Sequence, residues 1–251
     1  MEKPDIKKIQ ERLLYMGNSV AKILERHDIP YMLAYGTLLG AIRHKGFIPW
    51  DDDFDFYLFD DTYDEAIEHL RKELSEDLFI EDEKSEPLFF HAWARVKDLN
   101  SEVYSSLFLQ DNAYKHKGIN LDLYKLKKIP ENKLLSYLEE ENIAYINRRM
   151  KKGLMSKEEY ENRLKNFNQN AIQENFIDSG NNKYIYAMIN IYKYKHMTEE
   201  EIFPLKKYPF EDTEFYGPCK ADVILTNIYG NYMELPPVEE RKPHYSSVIF
   251  K

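Results

Sequence analysis

The sequence predicts an α/β (α+β) fold, with short apolar strands and helices alternating through the first half and longer helices after Pro130. Three observations carry this reading. Ile6, Ile9, Leu13, Met16, Val20 and Leu24 recur at helical spacing among charged residues. Apolar runs at 31–35, 51–59, 89–96, 103–109 and 119–126 are too short for helices and rich in aromatic and branched residues. The 251 residues are 43% hydrophobic and 14% aromatic, enough to build a packed core rather than a disordered chain.

Taken in order, residues 5–28 form an amphipathic helix laid over the sheet, and Tyr31–Tyr35 a strand. Gly36-Thr37 then makes a turn that opens a helix over Leu38–His44. Gly46 and Pro49 mark 45–50 as a loop, and Asp51–Phe59 reads as a strand. Residues 61–74 are helical; 89–96 and 103–109 are strands joined through Asp98–Ser101, and 119–126 is a further strand. Helices follow at 131–151, 156–176 and 181–194, then a short extended pair after Tyr208, a helix near 220–229 and a Pro-rich tail. This divides the chain into a core at 1–130, a mostly helical region at 131–207 and a C-terminal block at 208–251.

Bulk charge narrows the function classes. A net charge of −9 argues against a general nucleic-acid binder, which needs a basic face to neutralise phosphates. The basic residues are nonetheless clustered, at Lys115-His116-Lys117, Lys125 to Lys128, Lys193 to His196 and Lys206-Lys207. Such clusters are either solvated surface or local positive patches for an anionic substrate or a membrane surface. The charged N-terminal stretch is not a signal peptide, and no run approaches the roughly 18 apolar residues of a membrane span. Together with the single cysteine, Cys219, this makes the cytoplasm the expected compartment.

The most informative segment is Asp51-Asp52-Asp53-Phe54-Asp55. On a strand, alternation puts Asp51, Asp53 and Asp55 on one face and Asp52 on the other. Like charges so close raise one another's pKa, and a hard divalent cation relieves that repulsion. Magnesium, with manganese as its substitute, is the expected cofactor. Calcium in an EF-hand loop is excluded, because Phe56 and Thr62 stand where that loop needs Gly and Glu. Asp122, between Leu121 and Leu123, is a third carboxylate suited to metal binding or to taking a proton from an attacking hydroxyl. Gly36-Thr37 at a helix start offers N–H groups to a phosphate, though without a P-loop pattern an ordinary N-cap is the alternative.

Tyr35-Gly36-Thr37-Leu38-Leu39-Gly40-Ala41-Ile42-Arg43-His44-Lys45-Gly46, followed by Ile48-Pro49-Trp50-Asp51-Asp52-Asp53-Phe54-Asp55, resembles the LicD family. That family includes bacterial phosphorylcholine transferases and is related to the fukutin and fukutin-related ribitol-phosphate transferases. Gly118–Tyr124 resembles a later family block, and Tyr229–Pro237 with Arg241 and His244 resembles the C-terminal one. The similarity is strong over 31–128, moderate over 208–245 and slight between them.

The resemblance implies a polymerase-beta-like nucleotidyltransferase fold with a mixed sheet core and a helical insertion. It implies that Asp53 and Asp55 bind the metal with Asp51 beside them and Asp122 as the third acid. It further implies a magnesium-dependent transfer of phosphocholine, or another alcohol phosphate, from a CDP-linked donor to a sugar of a cell-surface glycan such as lipopolysaccharide or a teichoic-acid precursor. CMP would leave. The acceptor is expected to be lipid-linked and met at the inner face of the membrane, with peripheral membrane contact and no nucleic acid. Arg43, Arg95 and Lys97 are the expected phosphate-holding cations, with Arg241 and His244 folding back over the nucleotide. A nucleotidyltransferase that releases pyrophosphate, or an inactive nucleotide-binding module, are the competing classes. For a choline head group the tyrosines at 184, 186, 192 and 194 come to mind, but their spacing fits core packing better than a cage.

Overall fold

The computed structural model describes residues 5–104, 113–165, 184–188 and 195–251. Helix α1 (Ile6–Arg26) is capped by Asp5, whose side chain accepts the Lys8 N–H. It buries Ile9, Leu13, Met16, Val20 and Leu24 completely. Each contributes roughly 1.5–3 kcal/mol by leaving water. The helix packs on helix α3 (Tyr63–Glu73) and on the central strand β6 (Asn120–Pro130).

Strands β1 (Tyr31–Leu33), β2 (Asp55–Phe59), β6 (Asn120–Pro130), β4 (Ala94–Asp98) and β3 (Leu78–Glu81) lie in the order β1-β2-β6-β4-β3. Pairing is antiparallel except between β2 and β6, so the sheet is mixed. Helix α2 (Tyr35–Arg43) leads out of β1, and α3 (Tyr63–Glu73) follows β2. The second half of β6 pairs with β7 (Tyr184–Met188), which pairs with β8 (Lys195–Thr198). Helix α4 (Leu134–Lys151), entered through a 3₁₀ turn, and α5 (Lys157–Lys165) follow β6, and the short α6 (Glu199–Ile202) follows β8. A hairpin of β9 (Lys206–Phe210) and β10 (Thr213–Gly217) precedes α7 (Ala221–Tyr229). The core is strongly aromatic, with Phe54, Phe56, Phe210 and Phe215 in edge-to-face contact.

Several expectations change. The helix expected over 181–194 is strand where it is described, at 184–188, and residues 189–194 lie outside the described residues. Tyr184-Ile185-Tyr186 has branched and aromatic residues that suit a pleat, and β6 runs on to Pro130 with an edge that needs a partner. Thus β7 and β8 join the sheet. The strand expected over 51–59 starts only at Asp55, because the chain leaves a turn over 48–51, closed by the Asp51 N–H to Ile48 carbonyl bond, and residues 51–54 run irregularly into β2. β4 and β5 (Ser101–Tyr104) do not pair with each other; β5 pairs with the last strand, β11 (Ser247–Phe250). Phe89 and Phe90 belong to an irregular segment buried against Tyr114, Tyr145 and Met155, so the expected strand 89–96 is displaced to 94–98. Strand β3 escaped notice, and residues 105–109 and 166–176 of the expected elements lie outside the described residues. Among the described residues no helix is long and apolar enough to cross a membrane.

Candidate active site

Sheet register gathers the acids. Asp55 on β2 stands beside Asp122 on β6 in the parallel pair, and Asp122 stands opposite Arg95 on β4. Thr37 fixes the start of β2, its Oγ1 accepting the Asp55 N–H at 2.9 Å in a buried bond. Gly36 is as constrained as it is small, since a Cβ there would lie 2.9 Å from Asp51 Oδ2. The 45–50 loop folds against α2 where a Cβ on Gly40 would meet the Gly46 carbonyl at 2.4 Å. Gln10 of α1 holds the loop's end, donating to the carbonyls of Ile48 and Asp51.

Asp52 does a different job from its neighbours. It is fully buried and accepts the backbone N–H groups of His244 at 2.8 Å and Tyr245 at 2.9 Å. The His244 imidazole reaches Asp52 Oδ1 at 3.0 Å, Asp53 Oδ2 at 2.9 Å and Asp51 Oδ1 at 3.9 Å. Hydrogen bonds to Asp52 and Asp53 push this imidazole up to about 11, so it is an imidazolium at neutral pH. Burial, and then the charge of Asp53, push Asp51 up to about 7 against the pull of His244. Burial raises Asp55 well above the usual carboxylate range, with Asp53, Asp122 and Asp51 adding to it.

The donor set fits a hard cation. Asp51, Asp53, Asp55 and Asp122 repel one another in a partly dry site, and oxygen donors of this kind suit magnesium or manganese. Donor atoms of Asp51, Asp53 and His244 lie within 4.8 Å of one another.

The expected cations divide. Arg95 donates from Nε to Asp122 Oδ1 at 2.8 Å, and that same oxygen receives the Trp93 indole N–H at 3.1 Å. Lys97 is buried, its ammonium donating to Gly118 O and Asn120 Oδ1 and facing Glu81 at 3.9 Å. Arg43 donates to Tyr232 O at 2.7 Å, and Arg241 donates to Pro236 O and lies over the Trp50 ring. Both arginines therefore brace the C-terminal loop. Lys128 and Lys207, from the basic clusters, pair with Glu199 and with Glu25 and Glu214.

Residues 28–138 match the sequence profile of the LicD/FKTN/FKRP nucleotidyltransferase domain. Over 244 residues, covering 89% of each chain, the protein is 29% identical to the lipopolysaccharide cholinephosphotransferase LicD of Haemophilus influenzae. The chain is similar to the LicD family. An uncharacterised Rickettsia prowazekii protein is 29% identical over 146 residues, 51% of this chain and 49% of its own. A Rickettsia typhi protein, also uncharacterised, is 53% identical over 34 residues, 14% of this chain and 11% of its own.

The LicD-family domain match holds Asp51 to Asp55, Arg95 and Asp122 but ends well before His244. The tail reaches these acids across 192 residues of sequence. Around these acids stand residues that sequence reasoning missed. Besides Asp52 these are Trp93 and an aromatic group of Tyr35, Tyr57 and Tyr124. Trp93 was within reach, because it lies two residues before Arg95 and so on the same face of the strand expected over 89–96. The tyrosines come from three separate elements and had no local signal. Of the tyrosines considered for a cage, Tyr184 is exposed and Tyr186 buried, while 192 and 194 lie outside the described residues.

Proposed function

We propose that this protein transfers phosphocholine from CDP-choline to a sugar hydroxyl of a cell-surface glycan, with release of CMP. The observation that carries the reading is the convergence of Asp51, Asp53, Asp55 and Asp122 on one end of the sheet, in a chain similar along 89% of its length to a lipopolysaccharide cholinephosphotransferase. The acceptor would be a lipid-linked precursor met at the inner face of the membrane.

In this reading the acceptor oxygen forms a new bond to the distal phosphorus, the bond from that phosphorus to CMP breaks, and CMP leaves with the bridging oxygen. Asp51, Asp53 and Asp55, with Asp122 beside them, would hold magnesium or manganese. Such an ion supplies charge neutralisation for the diphosphate when bound. Asp122 is also placed to take the hydroxyl proton. Its Oδ1 is occupied by Trp93 and Arg95, which leaves Oδ2, 3.5 Å from the Tyr124 hydroxyl, as the basic atom. Arg95 keeps the partly buried carboxylate compensated and aimed. Thr37 sets the position of Asp55, and the α2 start brings its N-terminal dipole against Asp51. His244 brings a positive charge over the cluster, where it compensates the acids and is suited to meet the donor's phosphates.

The test is product analysis with CDP-choline, magnesium and a glycan acceptor. Release of CMP with phosphocholine on the glycan supports the proposal. Absence of turnover with every CDP-alcohol, combined with pyrophosphate release from a nucleoside triphosphate, would reject it in favour of nucleotidyl transfer.

A further inference from the structure

Beside the acids lies a continuous aromatic wall contributed by α2, β2, β6 and the segment before β4. Trp93 stands 4.8 Å from Tyr124, Tyr124 stands 5.4 Å from Tyr35 at 83°, and buried Tyr57 backs both at 5.4 Å and 6.2 Å. Tyr35, Tyr124 and Trp93 are only partly buried, so each keeps a share of its surface toward solvent.

Three features set this wall apart from ordinary core packing. Tyr35 begins α2 with a φ of +40°, a region that a bulky L-residue enters at a cost of about 1–3 kcal/mol and that recurs at functional sites. That backbone brings its ring to Tyr124 and Tyr57. Next, the Trp93 indole is pinned edge-on to Asp122 by its N–H, so the ring is held rigid beside a carboxylate. Finally, the protein's own cations lie over the rings of Trp50, Tyr63, Phe89 and Tyr137. Among the described residues, no lysine or arginine lies over Tyr124 or Trp93.

An aromatic surface next to carboxylates is complementary to a cation that carries no N–H. A primary ammonium is recognised by hydrogen bonds to acids, and a polyol by hydrogen bonds to acids and amides. A quaternary ammonium has neither kind of donor and is held by ring faces and by unpaired negative charge nearby. We propose that Tyr35, Tyr124 and Trp93 form the surface that selects the donor's quaternary ammonium head group, with the net negative charge of the neighbouring acidic cluster supplying the field. This inference rests on the transferase reading above and adds the residues that determine which alcohol phosphate is taken.

Donor selection tests it. The catalytic efficiencies for CDP-choline, CDP-ethanolamine and CDP-glycerol are compared in the wild type and in Tyr124→Phe, Tyr124→Leu and Trp93→Phe. The wild type should prefer CDP-choline. Tyr124→Phe, which keeps the ring, should retain that preference. Compared with Tyr124→Phe, which also lacks the hydroxyl that reaches Asp122, Tyr124→Leu should lower the ratio of CDP-choline to CDP-glycerol efficiency about 10-fold. Trp93→Phe should act in the same direction more weakly. Thermal stabilisation by CMP, which has no head group, reports whether each variant keeps a folded nucleotide site. Equal losses on all three donors with CMP stabilisation intact would overturn the head-group role. A wild type that prefers CDP-glycerol or CDP-ethanolamine would overturn it and the choline donor, while leaving transfer of an alcohol phosphate from a CDP-linked donor standing. Failure with every CDP-alcohol would remove both.

Discussion

Asp52 grips His244 twice, accepting its backbone N–H at 2.8 Å and its imidazole at 3.0 Å. The fully buried carboxylate also takes the Tyr245 N–H, so a single side chain ties the C-terminal tail onto the acidic segment. His244 then presents the same nitrogen to Asp53 at 2.9 Å. The middle acid of the Asp51-Asp52-Asp53 run is thus an anchor, and the acids on either side are the ones turned toward the candidate metal site.

Removing the anchor should cost both stability and activity. Asp52→Ala strands the buried Tyr245 N–H and the part-buried His244 N–H and leaves the imidazolium with one fewer partner, for an expected loss of about 2–4 kcal/mol in urea unfolding. Asp52→Asn keeps acceptor capacity and should lose less. Equal stability of Asp52→Ala and the wild type would remove the anchoring role.

His244 should remain an imidazolium from pH 6 to 9 in the metal-free protein, because its pKa is raised to about 11 by the hydrogen bonds to Asp52 and Asp53. The sign follows from linkage: a raised histidine pKa stabilises the fold fully below the ordinary value near 6.5 and loses that contribution as pH rises through about 11. Ring nitrogen and carbon shifts in NMR read the protonation state directly. A midpoint near 6.5 would show that the tail is not docked in solution.

Magnesium affinity should weaken as pH falls from 8 to 6. Asp51 is pushed up to about 7, so below that value a cation has to displace its proton, whereas above it the carboxylate is already charged. Calorimetry in buffers of different ionisation enthalpy measures both the affinity and the proton release. Affinity that stays flat across this range would exclude Asp51 from the ligand set.

The Arg95–Asp122 pair should be asymmetric under substitution. Arg95→Met leaves a partly buried carboxylate uncompensated and should cost about 3 kcal/mol or more. The double variant Arg95→Met with Asp122→Leu removes both charges and should recover much of that stability while remaining inactive. Chemical denaturation with an activity assay separates the two effects, and an active double variant would rule out a catalytic Asp122.

Gly36→Ala should injure the site more than the fold. The added Cβ falls 2.9 Å from Asp51 Oδ2, so the carboxylate has to swing away from its neighbours. Activity should drop at least about 10-fold through kcat while the melting temperature moves by only a few degrees. Unchanged kcat would show that Asp51 is free to move.

Much of this fold was legible because the signals were local. The six apolar residues at helical spacing in α1, the apolar runs of β1 and β6, the later part of the run at β2 and the extended pair near Tyr208 appear where expected, since each element's own residues decide its period. β7 was misread as helix for the converse reason. Its five residues are too few to show a period, and what makes them a strand is the free edge of β6 at Lys127–Pro130. Residues 51–54 likewise alternate like a strand but have no strand to pair with over that stretch, so Asp52 turns inward and meets the tail.

The sequence by itself determined the fold class, the family resemblance and the acidic residues, because charge crowding and the turn residues around it are written in consecutive positions. Tertiary structure alone decided the partners of those acids. It pairs Asp55 with Asp122 through strand register, gives Asp122 to Arg95 and Trp93, brings His244 onto Asp52 and Asp53, and assembles Tyr35, Tyr124 and Trp93 into one wall. Each of these contacts joins residues from different elements. Which of them meet depends on how the strands pair and how the tail closes, and no local stretch of chain encodes that.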